Sequence, residues 1–122
     1  MRALDGGARL VATNDDVSYP AHDGIRPGAG SILAALVAAS GAIPEVAGKP
    51  YLPMCDLVMG IAGPDGIVVG DRPDTDGRFA RNLGWTFGLV FTGITVDDGL
   101  PVDPRPDVVS ADLATLVEEI LG

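Results

Sequence analysis

Three aspartates cluster directly after a short apolar run near the middle of the chain. The β-branched run at residues 67–69 is followed by Gly70 and then by Asp71, Asp74 and Asp76. Such a run indicates a buried parallel strand, and ligands in open α/β sheets bind just beyond the carboxyl ends of such strands. Clustered carboxylates at that place suit Mg²⁺, which takes oxygen ligands and is commonly shared with phosphate. The pattern predicts a magnesium site.

The aspartates also admit a simpler interpretation. Asp71 would then be a loop carboxylate bonded to backbone amides, and Asp76 would cap the helix that follows. A carboxylate directly after a buried strand is costly to desolvate without a cation or donors around it, but this run alone leaves both interpretations of Asp71 equally open. The case for Asp76 is weaker, and that for Asp74 is weaker still.

One lysine has a setting that fits phosphate chemistry. Lys49 lies between Gly48, which allows a close backbone approach, and Pro50, which fixes the chain. Beside a metal-binding aspartate, its compact positive charge would serve a phosphate monoester site. The alternative is a solvated surface lysine. We favour the phosphate site because basic residues are rare in the middle of the chain.

Charge restricts the classes of partner. The 122 residues include 8 Lys or Arg and 17 Asp or Glu, for a net charge of −9. A field of this sign repels phosphodiester backbones and anionic membrane surfaces, so we expect neither a nucleic-acid nor a membrane partner. The same field opposes a phosphorylated substrate unless Mg²⁺ and Lys49 reverse it locally.

Cysteine usage and hydropathy favour a cytoplasmic location. Cys55 is the single cysteine and forms no internal disulfide, and the N-terminus lacks the pattern of a signal peptide. The longest apolar stretch, residues 32–39, is far shorter than the roughly 20 residues that span a bilayer.

Apolar periodicity and turn residues predict alternating strands and helices. Strands are expected at residues 8–13, 45–47, 67–69, 87–92 and 108–109. Helices are expected at residues 31–40, 53–59 and 77–83, and a last one is capped by Ser110 or Asp112. The Pro- and Gly-rich segment 18–30 is predicted to be a loop. This alternation predicts an α/β fold with a parallel sheet.

These motifs, with residues 11–16 (VATNDD) and 23–30 (DGIRPGAG), resemble the haloacid-dehalogenase (HAD) superfamily. The resemblance is to class IIA, the 4-nitrophenylphosphatase and pyridoxal-phosphatase-like branch, and it runs from about Gly7 to the end of the chain. It implies a remnant of the cap domain with its linker at residues 1–27. Residues 28–122 would be the C-terminal half of a Rossmann-like HAD core.

The resemblance also implies a function, that of a Mg²⁺-dependent phosphatase acting on small phosphorylated metabolites. The positions that match Asp71 and Asp76 bind the metal in this family. Lys49 matches the catalytic lysine, which stabilises the nucleophile and the phosphoryl charge and thereby contacts substrate.

Residues Asn14, Asp15 and Tyr19 align with the cap segment that contacts substrate in the family. Turn-forming roles for Asn14 and Asp15, with an exposed Tyr19, are equally open at this point. The sole histidine, His22, lies in the same region and is assigned no role.

The family pattern is incomplete in this chain. Relatives open with a strand that carries Asp-x-Asp, whose first aspartate is the nucleophile, and neither that motif nor the Thr/Ser motif that follows it is found. The only Asp-x-Asp is Asp74-Thr75-Asp76, inside the metal motif. We therefore expect a C-terminal fragment that is inactive alone. The alternative is a non-catalytic half-protein that binds metal or phosphate, pairs with a separate N-terminal half or forms a homo-oligomer.

Overall fold

Residues 1–122 are all described by the computed structural model, and they separate into two units, Met1–Gly48 and Lys49–Gly122. Each unit has its own strands and helices. None of the helices combines the length and the apolar character needed to cross a membrane.

The first unit contains two helices and two small sheets. Its elements are α1 (Arg2–Asp5), β1 (Leu10–Ala12), β2 (Ser18–Ala21), β3 (Gly24–Pro27), α2 (Ala29–Ser40) and β4 (Pro44–Val46). Strands β1 and β4 pair in parallel, with Ala12 opposite Val46. Helix α2 stops at Gly41, whose φ of 67° is left-handed, as the glycine in the sequence predicts.

The predicted loop at residues 18–30 is wrong for most of its length. Strands β2 and β3 form an antiparallel hairpin in which Tyr19 lies opposite Arg26, and α2 already begins at Ala29. The prolines are tolerated because each strand of a two-stranded ribbon has one edge that needs no donor. Gly24 supplies the positive φ, 129°, at the turn.

The second unit is a three-stranded parallel sheet with helices. Its elements are α3 (Leu52–Ala62), β5 (Ile67–Gly70), a π-helical turn (Pro73–Gly77), α4 (Arg78–Leu83), β6 (Thr86–Val90), a 3₁₀ turn (Asp97–Gly99), β7 (Val108–Ser110) and α5 (Leu113–Leu121). The strand order is β5-β6-β7, and both pairings are parallel. The α/β fold class and the parallel sheet are therefore confirmed.

The core of this unit lies on the central strand, β6. Phe87 and Leu89 of β6 and Leu116 of α5 are fully buried. Burying side chains of this size stabilises a fold by about 1.5–3 kcal/mol each. Because Gly88 has no side chain, the Leu116 methyl group packs closely against it. Cys55 is 2% exposed and packs with Phe79 and Leu83.

Two helix ends follow the sequence signals. Asp112 caps α5, because its Oδ1 accepts a hydrogen bond from Thr115 N at 2.8 Å. This bond lowers the pKa of the Asp112 carboxyl. Helix α4 ends at Gly84, which is left-handed with φ 73°. Helix α3 extends past Gly60 to Ala62 and ends at Gly63, so Gly60 does not end it.

Candidate functional site

The carboxyl end of β5 carries the acidic cluster, and a tight turn folds the chain back on that end. Strand β5 ends at Gly70, and the carbonyl of Arg72 then accepts backbone hydrogen bonds from Asp76 at 2.7 Å and from Thr75 at 3.2 Å. The Asp76 carboxylate returns to the turn, where its Oδ2 accepts a hydrogen bond from Arg72 N at 3.1 Å. Asp76 thus lies in the turn that directly follows Asp71.

Asp76 does not cap helix α4, contrary to the simpler interpretation of its role. The helix begins at Arg78 without a side-chain cap, and the Asp76 side chain is directed to Lys49 and Arg72 instead. Gly70 makes this placement sterically feasible, because a Cβ there would lie 2.6 Å from the Asp76 Cβ and closer still to its carboxylate. Carbon atoms in contact are normally about 3.5–4.0 Å apart.

The structure brings Lys49 and Asp76 together. Lys49 Nζ lies 2.5 Å from Asp76 Oδ1, and the Asp76 side chain is 6% exposed while that of Lys49 is 49% exposed. A buried carboxylate needs a partner, and the ammonium group supplies it with a charge-assisted hydrogen bond. About half of the surface of the Lys49 side chain therefore remains accessible to solvent.

Asp71 is held at one oxygen only. Its Oδ2 accepts a hydrogen bond from Ile94 N at 2.6 Å, and its main-chain carbonyl accepts one from Thr95 N at 3.3 Å. Oδ1 accepts no hydrogen bond from the protein. The side chain is partly buried. One carboxylate oxygen is therefore left for a ligand.

Asp74 is exposed and pairs within the turn. The Arg72 guanidinium donates to it, with Nη2 3.3 Å from Oδ2 and Nε 3.5 Å from Oδ1.

The donor set at the end of β5 suits a hard cation. Nowhere in residues 1–122 are three His, Cys, Asp or Glu side chains grouped to hold a metal ion. Mg²⁺, however, is usually bound through one or two carboxylates and keeps several waters. Oδ1 of Asp71 accepts no hydrogen bond from the protein, whereas both carboxylate oxygens of Asp76 already accept one. Asp71 is therefore the better ligand of the two.

The predicted substrate residues lie in the first unit. Asn14 and Asp15 follow β1, and Asn14 Oδ1 accepts a hydrogen bond from Asp16 N at 3.2 Å, which forms an Asx turn. Both side chains are partly buried, while Tyr19 on the hairpin is 48% exposed. The turn-forming role of Asn14 is thus observed, and the substrate role of all three residues stays a prediction.

Glycines hold the segment that carries Asn14 and Asp15. A Cβ at Gly30 would clash with the main-chain carbonyl of Asp15, and one at Gly48 would clash with that of Thr13. Backbone therefore packs directly on backbone on both sides of this segment. Gly48, which the sequence suggests for close approach, makes that approach to Thr13.

Two other reactive side chains have ordinary surroundings. His22 is 89% exposed and lies 3.9 Å from Asp23 Oδ1. Burial raises the pKa of the Cys55 thiol, which keeps it protonated and unreactive.

Sequence reasoning did not identify Gly93 and Ile94, which contact Asp71. The available signal was a glycine just after β6, at the edge of the sheet where β5 also ends. Parallel strands place their carboxyl ends at one edge, so loops after neighbouring strands meet there.

Comparison with known proteins identifies the family. A family model described as HAD-hydrolase-like matches residues 46–116, which include Lys49, Asp71 and Asp76. The chain belongs to the HAD superfamily. Its similar proteins include several phosphatases of the 4-nitrophenylphosphatase branch, which confirms the class IIA assignment.

Three relatives of this HAD protein illustrate the similarity. Dihydroxyacetone phosphatase of Corynebacterium glutamicum is 37% identical over 117 residues, which cover 93% of this chain and 42% of the relative. The p-nitrophenyl phosphatase structure from Archaeoglobus fulgidus has a TM-score of 0.86 at 36% identity, covering 97% and 49%. A magnesium complex of glycerol phosphate phosphatase from Mycobacterium tuberculosis has a TM-score of 0.79 at 37% identity, covering 94% and 36%. The HAD chain spans half or less of each relative's length.

Proposed function

We propose that this HAD chain supplies the lysine and the metal-binding carboxylates of a Mg²⁺-dependent phosphatase that acts on small phosphorylated metabolites. The observation that carries the proposal is the ion pair of Lys49 and Asp76, at 2.5 Å, which joins the lysine to the turn that directly follows Asp71. The relatives named as phosphatases support it, and so does the magnesium complex of one of them.

Lys49 would balance charge on the phosphoryl group. Its ammonium group is oriented by Asp76, and because the side chain is 49% exposed, the lysine can be reached by a phosphate oxygen from solvent. A donor that is already oriented stabilises developing negative charge without reorganisation during the reaction. Asp76 would thus both neutralise and orient the lysine.

Asp71 would be the principal ligand of Mg²⁺, with Asp76 as the second carboxylate. The bound ion would supply a Lewis acid that polarises a phosphoryl oxygen. The contribution of the protein is to fix Asp71 Oδ2 on Ile94 N and to leave Oδ1 available. Asn14, Asp15 and Tyr19 are proposed to contact the substrate, because Asn14 and Asp15 lie on a segment held by backbone packing and Tyr19 is exposed on the hairpin.

The described residues offer no suitable nucleophile for this chemistry. In Asp74-Thr75-Asp76, the second aspartate is buried against Lys49, and the first is exposed and paired with Arg72. Neither can attack phosphorus while keeping these contacts. We therefore propose that the nucleophilic aspartate comes from a segment outside these residues and that the chain alone does not turn over substrate.

The second candidate is a non-catalytic half-protein that pairs with a separate N-terminal half or with another copy of itself. The favouring observation is that β5 pairs only with β6, so its other edge presents unpaired backbone groups beside the acidic turn. Exposed sheet edges are templates for pairing with another strand. A monomeric chain that melts cooperatively would argue against this candidate.

We propose that residues 1–27 belong to a cap domain and its linker and that residues 28–122 belong to the core. Because Cys55 is single and buried, the chain suits a reducing compartment such as the cytoplasm.

Hydrolysis of 4-nitrophenyl phosphate with Mg²⁺ tests the proposed function. The chain, its Asp71→Ala variant and a form extended upstream through the reading frame are compared. Activity confined to the extended form, and lost there in Asp71→Ala, is the expected result. Activity of the chain alone that disappears in Asp71→Ala would mean that a nucleophile lies within these residues. An inactive extended form would favour the non-catalytic half-protein.

A further inference from the structure

The loop after β6 binds Asp71 at two points. Ile94 N donates to the side-chain Oδ2 at 2.6 Å, and Thr95 N donates to the main-chain carbonyl at 3.3 Å. Hydrogen bonds from backbone amides to a carboxylate are among the stronger ones in proteins. Two consecutive residues of the loop therefore fix both the backbone and the side chain of Asp71.

Gly93 makes this contact sterically feasible. A Cβ on Gly93 would lie 2.8 Å from the Asp71 Cβ and would overlap its Cγ and Oδ2. The φ of Gly93 is not positive, so residues other than glycine can adopt this backbone conformation. The glycine is needed for space rather than for conformation, and the space that it leaves is filled by the Asp71 carboxylate.

The consequence is a carboxylate with two distinct oxygens. Oδ2 is committed to Ile94 N, and Oδ1 accepts no hydrogen bond from the protein. Any side chain at residue 93 would push the carboxylate away and break the bond to Ile94. The orientation of Oδ1 therefore depends on the absence of a side chain at Gly93, in the loop after the neighbouring strand.

We propose that Gly93 is a positioning residue, which sets the direction in which Asp71 presents Oδ1 to a divalent cation. This inference rests on the proposed function, because it assumes that Asp71 is a metal ligand. Groups that orient a metal ligand typically change metal affinity by 10–100-fold when they are altered. Gly93 acts by leaving space for the Asp71 carboxylate and does not itself touch the cation.

The test measures binding of Mn²⁺ alone by the 122-residue chain, through the loss of the free-ion signal in electron paramagnetic resonance. Carboxylate oxygens suit Mn²⁺ as they suit Mg²⁺. The variants are Gly93→Ala, Asp71→Asn and the matched control Gly60→Ala. Gly60 lies in α3, where an added Cβ has no neighbour within 4 Å. The amide proton shift of Ile94 reports the hydrogen bond to Asp71 independently of metal.

Gly93→Ala is expected to weaken Mn²⁺ binding about tenfold or more and to move the Ile94 amide proton upfield, while Gly60→Ala changes neither. Binding by Gly93→Ala at wild-type affinity, when Asp71→Asn has lost it, would overturn the positioning role and leave the metal site standing. Equal binding by the wild type and Asp71→Asn would instead overturn the metal role of Asp71, and the inference with it.

A second measurement uses the unaltered chain, so that a variant that fails to fold does not decide the question. Mn²⁺ should broaden the Ile94 amide resonance at lower concentration than that of Thr115, whose amide donates to Asp112 at the start of helix α5. Equal broadening of the two amides would show that the Asp71 carboxylate held by Ile94 is not the preferred cation site, which overturns the inference.

Discussion

Lys49 Nζ lies 2.5 Å from Asp76 Oδ1, although the two residues are 27 positions apart. One residue precedes α3 and the other ends the turn after β5, so the pair joins the start of the second unit to the edge of its sheet. The pair is also unequal, because the aspartate is buried and the lysine is half exposed. Removing the lysine should therefore leave a buried carboxylate without its charged partner, whereas removing the aspartate should leave a lysine that solvent can reach.

Replacing Lys49 with Met should destabilise the second unit by about 2 kcal/mol. The reason is that Asp76 would keep its buried position and lose its charged partner. Urea unfolding at neutral pH measures the change in the free energy of unfolding. The control is Arg9→Met, which removes an exposed ion pair with Glu45 and should leave the free energy of unfolding near the wild-type value. A Lys49→Met chain as stable as Arg9→Met would show that the ion pair does not contribute.

Gly70→Ala should cost about 1–3 kcal/mol of stability, because the methyl group overlaps the Asp76 carboxylate and forces it from its place. The displacement should also break the contact with Lys49. Unfolding of Gly70→Ala, Lys49→Met and the double variant gives a mutant cycle. The double variant should be more stable than the sum of the single changes predicts. Strict additivity would show that the two contacts are independent.

Asp107 should make the second unit more stable at neutral pH than in acid. Its side chain accepts hydrogen bonds from Arg81 Nη1 at 2.7 Å and from Phe87 N at 2.8 Å. Both bonds hold the pKa of the carboxyl below its ordinary value of 3.8, and the bond from Arg81 has the larger effect. Because the folded state has the lower pKa, this stabilisation is present above that ordinary value and is lost as the pH falls through the folded-state pKa.

The measurement for Asp107 is the free energy of unfolding against pH for the wild type and for Asp107→Asn. The difference between them should be constant at neutral pH and should shrink as the pH falls below the ordinary pKa. A difference that stays the same at low pH would assign the effect of the variant to the lost acceptor geometry rather than to charge.

Cys55 should react slowly with a thiol reagent in the folded chain. Its side chain is 2% exposed, and burial raises the pKa of the thiol, so little thiolate is available. The rate of reaction with 5,5′-dithiobis(2-nitrobenzoate) should rise steeply across the urea unfolding transition. Fast labelling without denaturant would contradict the packing of α3 on Phe79 and Leu83.

Local sequence predicts most of the elements and part of the site. Glycines stop α2 at Gly41 and α4 at Gly84, and the aspartate at position 112 caps α5, because each signal acts within a few residues. The end of a buried strand also predicts where Asp71 lies. The hairpin at residues 18–27 replaces the predicted loop, because prolines and glycines are typical of loops while the cross-strand pairing that stabilises the hairpin is not local.

The sequence by itself determined the parallel α/β fold and the family, and it predicts Lys49, Asp71 and Asp76 as the residues suited to phosphate chemistry. Only the tertiary structure decided how these side chains are held. Asp76 pairs with Lys49 instead of capping a helix, and Asp71 is fixed by a loop that follows a different strand. Periodicity and turn signals describe neighbours along the chain, whereas these contacts depend on strands being brought side by side in the sheet.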